Sequence, residues 1–155
     1  MKWVNPPVAY MLHAGVPLLL DAGVCLPGLH PGDTRDMDQD GRPRRIALEA
    51  YPGLLARELI GRQSYKSDQR ARQDLARMQA RAHIVFALER GQTRLGLALS
   101  LAPGMRDTLV QDGGADCLDA VLCLVQAAWA WNCGWPRYGL PEGMDPLEGW
   151  IASAA

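Results

Sequence analysis

The sequence has little net charge, no apolar run of membrane length and no paired cysteine motif, and each absence removes a class of function. Its 155 residues carry 16 Lys and Arg against 17 Asp and Glu, a formal charge of −1. No global field therefore draws the chain to nucleic acid or to an anionic membrane. No stretch approaches the ~20 apolar residues a membrane helix needs. The short apolar run at 16–20 is broken by Pro17 and has no cleavage pattern behind it. Cys25, Cys117, Cys123 and Cys133 include no Cys-x-x-Cys pair and no histidine at ligand spacing, which argues against zinc and for buried, reduced thiols. His13, His30 and His83 are scattered and are assigned no chemistry. Repeats and low-complexity segments are missing. These absences lead to the expectation of a soluble cytoplasmic protein without a membrane segment.

What is present is a hydrophobic content of 48%, enough for a single domain over 1–155 with its own core. Charge is distributed unevenly. Residues 42–94 hold twelve Lys/Arg against five Asp/Glu, whereas 1–41 hold two against five and 95–155 two against seven. A basic middle between acidic ends suits a chain that grips phosphate with one segment and holds a cation with another. Solvated arginines on amphipathic helices would give the same balance.

Hydrophobic spacing and punctuation predict short helices over 8–14 and 17–22, then a polar loop over 32–45. Asp36, Asp38 and Asp40 before Gly41 look superficially like a calcium loop, but Ala47 stands where the twelfth-position Glu belongs. Residues 45–50 read as a buried strand ended by Tyr51-Pro52-Gly53. A helix over 53–60 follows, with Pro52 in its first turn and Gly61 at its end. Ser67 or Asp68 is the expected cap of a long helix over 69–90. Its core stripe is Leu75, Met78, Ala82, Val85, Phe86 and Leu88, and Arg70, Arg72, Arg77 and Arg81 take its wetter side. The alternation of Leu95, Leu97, Leu99 and Leu101 suggests a strand, with a helix as the alternative. A short helix is expected over 103–110, a nearly all-apolar one over 116–131, and a short strand near 148–152.

Three stretches carry the chemistry. Glu49 ends the apolar run Ala47-Leu-Glu before the Pro-Gly break. Asp116 and Asp119 stand three apart in Asp-Cys-Leu-Asp-Ala-Val-Leu-Cys123, so they share a helix face. Together the three acids would make an oxygen-rich pocket for a hard divalent cation. Each has a plainer role available: Asp116 as a helix cap, Asp119 paired with an arginine, and Glu49 bridged to Arg44, Arg45 or Arg57. Lys66 with Tyr65, and Arg57 with Arg62, form a basic segment suited to a phosphate backbone, with Tyr65 available to stack on a base. The alternative is that Tyr65 packs its ring inside and Lys66 is solvated.

Taken in order, the run from Glu49 to Asp68, the run Asp116–Cys123, and Asp145-Pro-Leu-Glu-Gly-Trp-Ile151 resemble the DUF429 family of RNase H-like nucleases over roughly residues 6–152. The resemblance implies an α/β fold with a ribonuclease-H-like mixed sheet and packed helices. It implies Glu49 at the end of an interior strand, and Asp119, with Asp116 nearby, on a late helix. It also implies two Mg²⁺ or Mn²⁺ ions acting on a nucleic-acid phosphodiester. Proteins of that fold open with a strand carrying a metal-bridging Asp. Here the chain enters with Met1-Lys-Trp-Val-Asn-Pro-Pro7, so the expectation is an N-terminally truncated, partial domain with an incomplete metal site. A second expectation is a non-catalytic binding or assembly module. Trp129, Trp131, Trp135 and Trp150 point to an exposed apolar patch, and through it to a homodimer.

Overall fold

The structure, a computed structural model, describes residues 6–154. Five helices follow one another: α1 (Pro6–Asp21), α2 (Pro52–Ile60), α3 (Leu75–Glu89), α4 (Met105–Gln111) and α5 (Asp116–Cys133), with one 3₁₀ turn at Arg70–Arg72. The chain is 45% helical, and no β-strand occurs among the described residues. The expected ribonuclease-H-like mixed sheet is therefore corrected. The 45–50 segment that reads as a strand meets only isolated single-residue bridges among the described residues. Ile46 bridges Cys25 and Glu49 bridges Ile151, both in parallel sense, and neither contact extends into a ladder. The expected absence of a first strand falls partly on residues 1–5, which lie outside the described residues.

Local chemistry explains where the helices begin and end. Tyr51 is extended, Pro52 supplies a preset first turn, and Gly61 at φ +60° closes α2 with its N–H on the Arg57 carbonyl at 2.9 Å. The start of α3 lies later than expected. Asp74, not Ser67 or Asp68, accepts the Arg77 N–H at 2.9 Å, because the 3₁₀ turn consumes residues 70–72. α1 is one helix where two were expected, and it carries Pro17 in its interior at the loss of one N–H···O bond.

α2, α3, α4 and α5 enclose the core. Leu55, Ile84, Leu88, Leu109, Leu118 and Leu122 are completely buried, each contributing about 1.5–3 kcal/mol over an exposed position. Leu95 is buried and Leu97, Leu99 and Leu101 pack against the same cluster, so that alternation records burial without a sheet. The stripe expected on α3 is corrected too. Leu75 and Phe86 are exposed, and the inward face is Ala80, Arg81, Ile84, Val85, Ala87 and Leu88. Its alanines allow α3 to lie close to its neighbours.

The remainder is held differently. Gln126, fully buried on α5, donates to the Ala152 carbonyl at 3.1 Å and to Ser153 Oγ at 2.9 Å. Arg94 ties Glu58 at 3.2 Å to the Ser153 carbonyl. Those bonds fasten the C-terminal tail to the helices. No single described helix is long and apolar enough to cross a membrane. All four cysteines are free. Cys25 is buried and Cys123 half-buried, whereas Cys117 and Cys133 are exposed, against the expectation of burial.

Candidate functional site

The α2 N-terminus and the loop after it build a polar concavity. Tyr51 folds back over Gly53, where a side-chain Cβ would stand 2.9 Å from the Tyr51 ring. Only glycine lets the ring lie there. One turn on, Arg57 donates to the Tyr51 hydroxyl at 3.3 Å, its guanidinium 5.7 Å from the ring centroid. The chain then leaves α2 through Gly61 and Arg62 to Tyr65 and Lys66. A cavity of about 290 Å³ lies between these pieces, lined by Tyr51, Arg57, Arg62, Ser64, Tyr65 and Lys66 among others, with no acid in its wall.

Behind the wall stands Asp119, in the first turn of α5. Its carboxylate accepts the Tyr65 hydroxyl at 2.7 Å and is ion-paired with Lys66. The Asp119 side chain is 18% exposed, so this pair meets the need of a nearly buried charge for partners. Burial, and next the bond to Asp119, push the Tyr65 phenol above its ordinary value. It therefore stays a hydrogen-bond donor at neutral pH. Burial likewise raises the Cys123 thiol, with the Asp119 charge adding to it.

Arg81, 3% exposed, fixes the loop from below. It donates to the Tyr65 carbonyl at 2.7 Å and to the Val110 carbonyl at 2.8 Å. Burial lowers its pKa, and the nearby Asp112 charge partly opposes that. An arginine expected on the wet face is thus the clamp that holds the basic loop and the last turn of α4 to α3.

Of the expected site residues, the structure brings Lys66, Tyr65, Arg57 and Arg62 to one cavity. Tyr65 is 8% exposed, which leaves its ring packed inside and unable to stack on a base. The exposed aromatic at the rim is Tyr51, 40% exposed. The pattern Tyr-Pro-Gly at a helix start was the available signal for it, since glycine two residues on permits the ring to fold back.

The acids are placed apart in role. Asp116 is exposed on α5, and capping falls to Asp112, whose carboxylate accepts the Gly114 N–H at 3.2 Å and the Cys117 N–H at 3.3 Å. Glu49 is exposed on the extended segment and faces a different, apolar cavity with Leu12, Val16 and Trp150. It pairs with none of Arg44, Arg45 or Arg57. Arg44 and Arg45 turn to Asp36, and Arg57 turns to Tyr51. Among the described residues no three His, Cys, Asp or Glu side chains are grouped to hold a metal ion. Asp119 is already engaged by Tyr65 and Lys66, and Glu49 opens elsewhere. The residues present do not fit a Mg²⁺ or Mn²⁺ pair. Comparison of the chain with protein-family models, with curated proteins and with solved structures returns no match.

Proposed function

We propose that the chain is a non-catalytic binding module that holds a nucleic-acid strand by its phosphates in the cavity between α2 and the 61–66 loop. The carrying observation is that Arg57 and Arg62 line that cavity, that neither is in an ion pair among the described residues, and that no acid lines it. Two uncompensated guanidiniums side by side attract an anion and offer planar, forked donors suited to phosphate oxygens. Tyr51 at the rim supplies a ring for a base next to the held phosphate. Lys66, neutralised by Asp119, shapes the cavity floor and adds little net charge. Hydrolysis is the activity that the family resemblance implies. The separate placement of Glu49 from Asp119 supports holding a strand over cutting one.

Fluorescence anisotropy with labelled single-stranded RNA and DNA tests the reading. Binding should weaken as salt rises. Arg57→Ala and Arg62→Ala should each cost about 1.5 kcal/mol, roughly tenfold, and should each reduce the slope of log affinity against log salt by about 0.7. Tyr51→Ala should cost about 1–3 kcal/mol with that slope unchanged. Binding that is absent at low salt, or indifferent to both arginines, would overturn it.

A further inference from the structure

Residues 45–50 run extended, and their two edges differ. On one edge the Arg45 carbonyl accepts the Cys25 N–H at 2.8 Å, the Ala47 N–H reaches the Cys25 carbonyl at 3.0 Å, and the Glu49 carbonyl accepts the Ala152 N–H at 2.7 Å. On the other edge the N–H and C=O groups of Ile46, Leu48 and Ala50 make no hydrogen bond among the described residues. Six backbone groups at a two-residue spacing are left open, which is the template an added strand requires. One face of the segment opens on a cavity of about 270 Å³ that includes Ala127 and Trp131 of α5. The other opens on one of about 290 Å³ that includes Leu12, Val16 and Leu19 of α1.

We propose that this edge is the interface of a homodimer, in which residues 46–50 pair antiparallel with the same residues of a second copy about a two-fold axis at Leu48. That register sets Leu48 opposite Leu48 and Ile46 opposite Ala50, so all six open groups of each copy are bonded. The contact is self-complementary, as a two-fold interface must be. The axis runs perpendicular to the paired strands, so each face stays on its own side. α1 then lies beside α1 of the second copy, and the Trp131 side beside its mate. α1 holds no Lys, Arg, Asp or Glu before Asp21, so no like charges on the two α1 helices oppose the approach, and Glu49 of each copy stands opposite Ala47 and not opposite its mate. The area agrees. Met11, Leu12, Leu18, Leu19, Trp131 and Trp150 are between 36% and 72% exposed. Together they present on the order of 700 Å² of apolar surface, against about 800 Å² per partner in a standard interface.

The test is light scattering after gel filtration from micromolar to near-millimolar concentration, joined to thiol cross-linking. In a background with Cys117→Ser and Cys133→Ser, the Leu48→Cys variant should cross-link to a covalent dimer with a short bifunctional thiol reagent. Glu49→Cys, which this register places opposite Ala47, should cross-link much less. Amide exchange at Ile46, Leu48 and Ala50 of the unsubstituted chain should slow as concentration rises, a readout that needs no variant to fold. A monomer at every concentration overturns the proposal. So does a dimer in which those three amides exchange at an unchanged rate, or one in which Glu49→Cys cross-links as well as Leu48→Cys.

Discussion

The helical part of the molecule, residues 52–133, and the part built from α1, the 22–50 segment and the tail have similar apolar content but use it in opposite ways. In the first, α2 to α5 enclose a continuous cluster in which Leu55, Ile84, Leu88, Leu109, Leu118 and Leu122 lose all contact with water. In the second, α1 keeps Met11 72% and Leu18 68% exposed. Its neighbouring loops are held by surface ion pairs such as Asp36–Arg45 at 2.7 Å and Asp33–Arg35 at 3.0 Å. The bond from Arg35 holds the Asp33 carboxyl at about 2, below the usual range, yet exposed pairs of this kind stabilise little. The comparison teaches that stability resides in the helical part. The other part keeps apolar surface and one backbone edge open. The basic cavity sits on the stable side, where Arg81 and Asp119 hold its loop in place.

Substitutions can break or sharpen that contrast. Leu118→Ala, in the centre of the helical cluster, should cost about 2–5 kcal/mol of unfolding free energy, measured by urea denaturation. Arg81→Met comes next. It leaves the Tyr65 and Val110 carbonyls without their donors, so about 2–3 kcal/mol should be lost. Binding of a labelled strand should weaken with it as the 61–66 loop loosens. Tyr65→Phe removes the bond to Asp119 and should cost about 1 kcal/mol at neutral pH. The folded Tyr65 phenol has a raised pKa, so its contribution is complete below the unfolded value of about 10. It falls away as pH rises past that value. Urea midpoints followed from neutral to strongly alkaline pH should decline less steeply in Tyr65→Phe. The smallest effect belongs to the open side: Met11→Ser should change the stability of the dilute chain by less than about 0.5 kcal/mol. An effect as large as that of Leu118→Ala would erase the distinction between the two parts.

How much of this was legible in the sequence follows the range of the interactions. Pro52, Gly61 and the start of α5 at Asp116 act on their own neighbours, and the helices they bound are found where their punctuation places them. Arg57, Arg62 and Lys66 lie within ten residues of one another, so their common cavity was within reach of local reading. The tie from Tyr65 and Lys66 to Asp119 spans more than 50 residues, and no local pattern announces it. Arg81 was misplaced for a related reason: its carbonyl partners, one in the 61–66 loop and one in the last turn of α4, are 16 and 29 residues away. The sheet failed on different grounds. Alternation in 95–101 records contact with the core, and the apolar run of 45–50 is only half-buried in the structure. A sheet is a property of pairs, and no spacing within one segment states whether a partner strand lies beside it. At 95–101 the Leu99 N–H goes to the Leu88 carbonyl at 2.9 Å, a helix end and not a strand.

Residue-resolved amide exchange on the dilute chain tests the division most directly. The account predicts that amides of α3 and α5 around Ile84, Leu88, Leu118 and Leu122 exchange only through global unfolding, while Ile46, Leu48 and Ala50 exchange nearly as fast as free backbone. Equal protection of the two sets at low concentration would contradict it, since the edge would then already be closed within one chain.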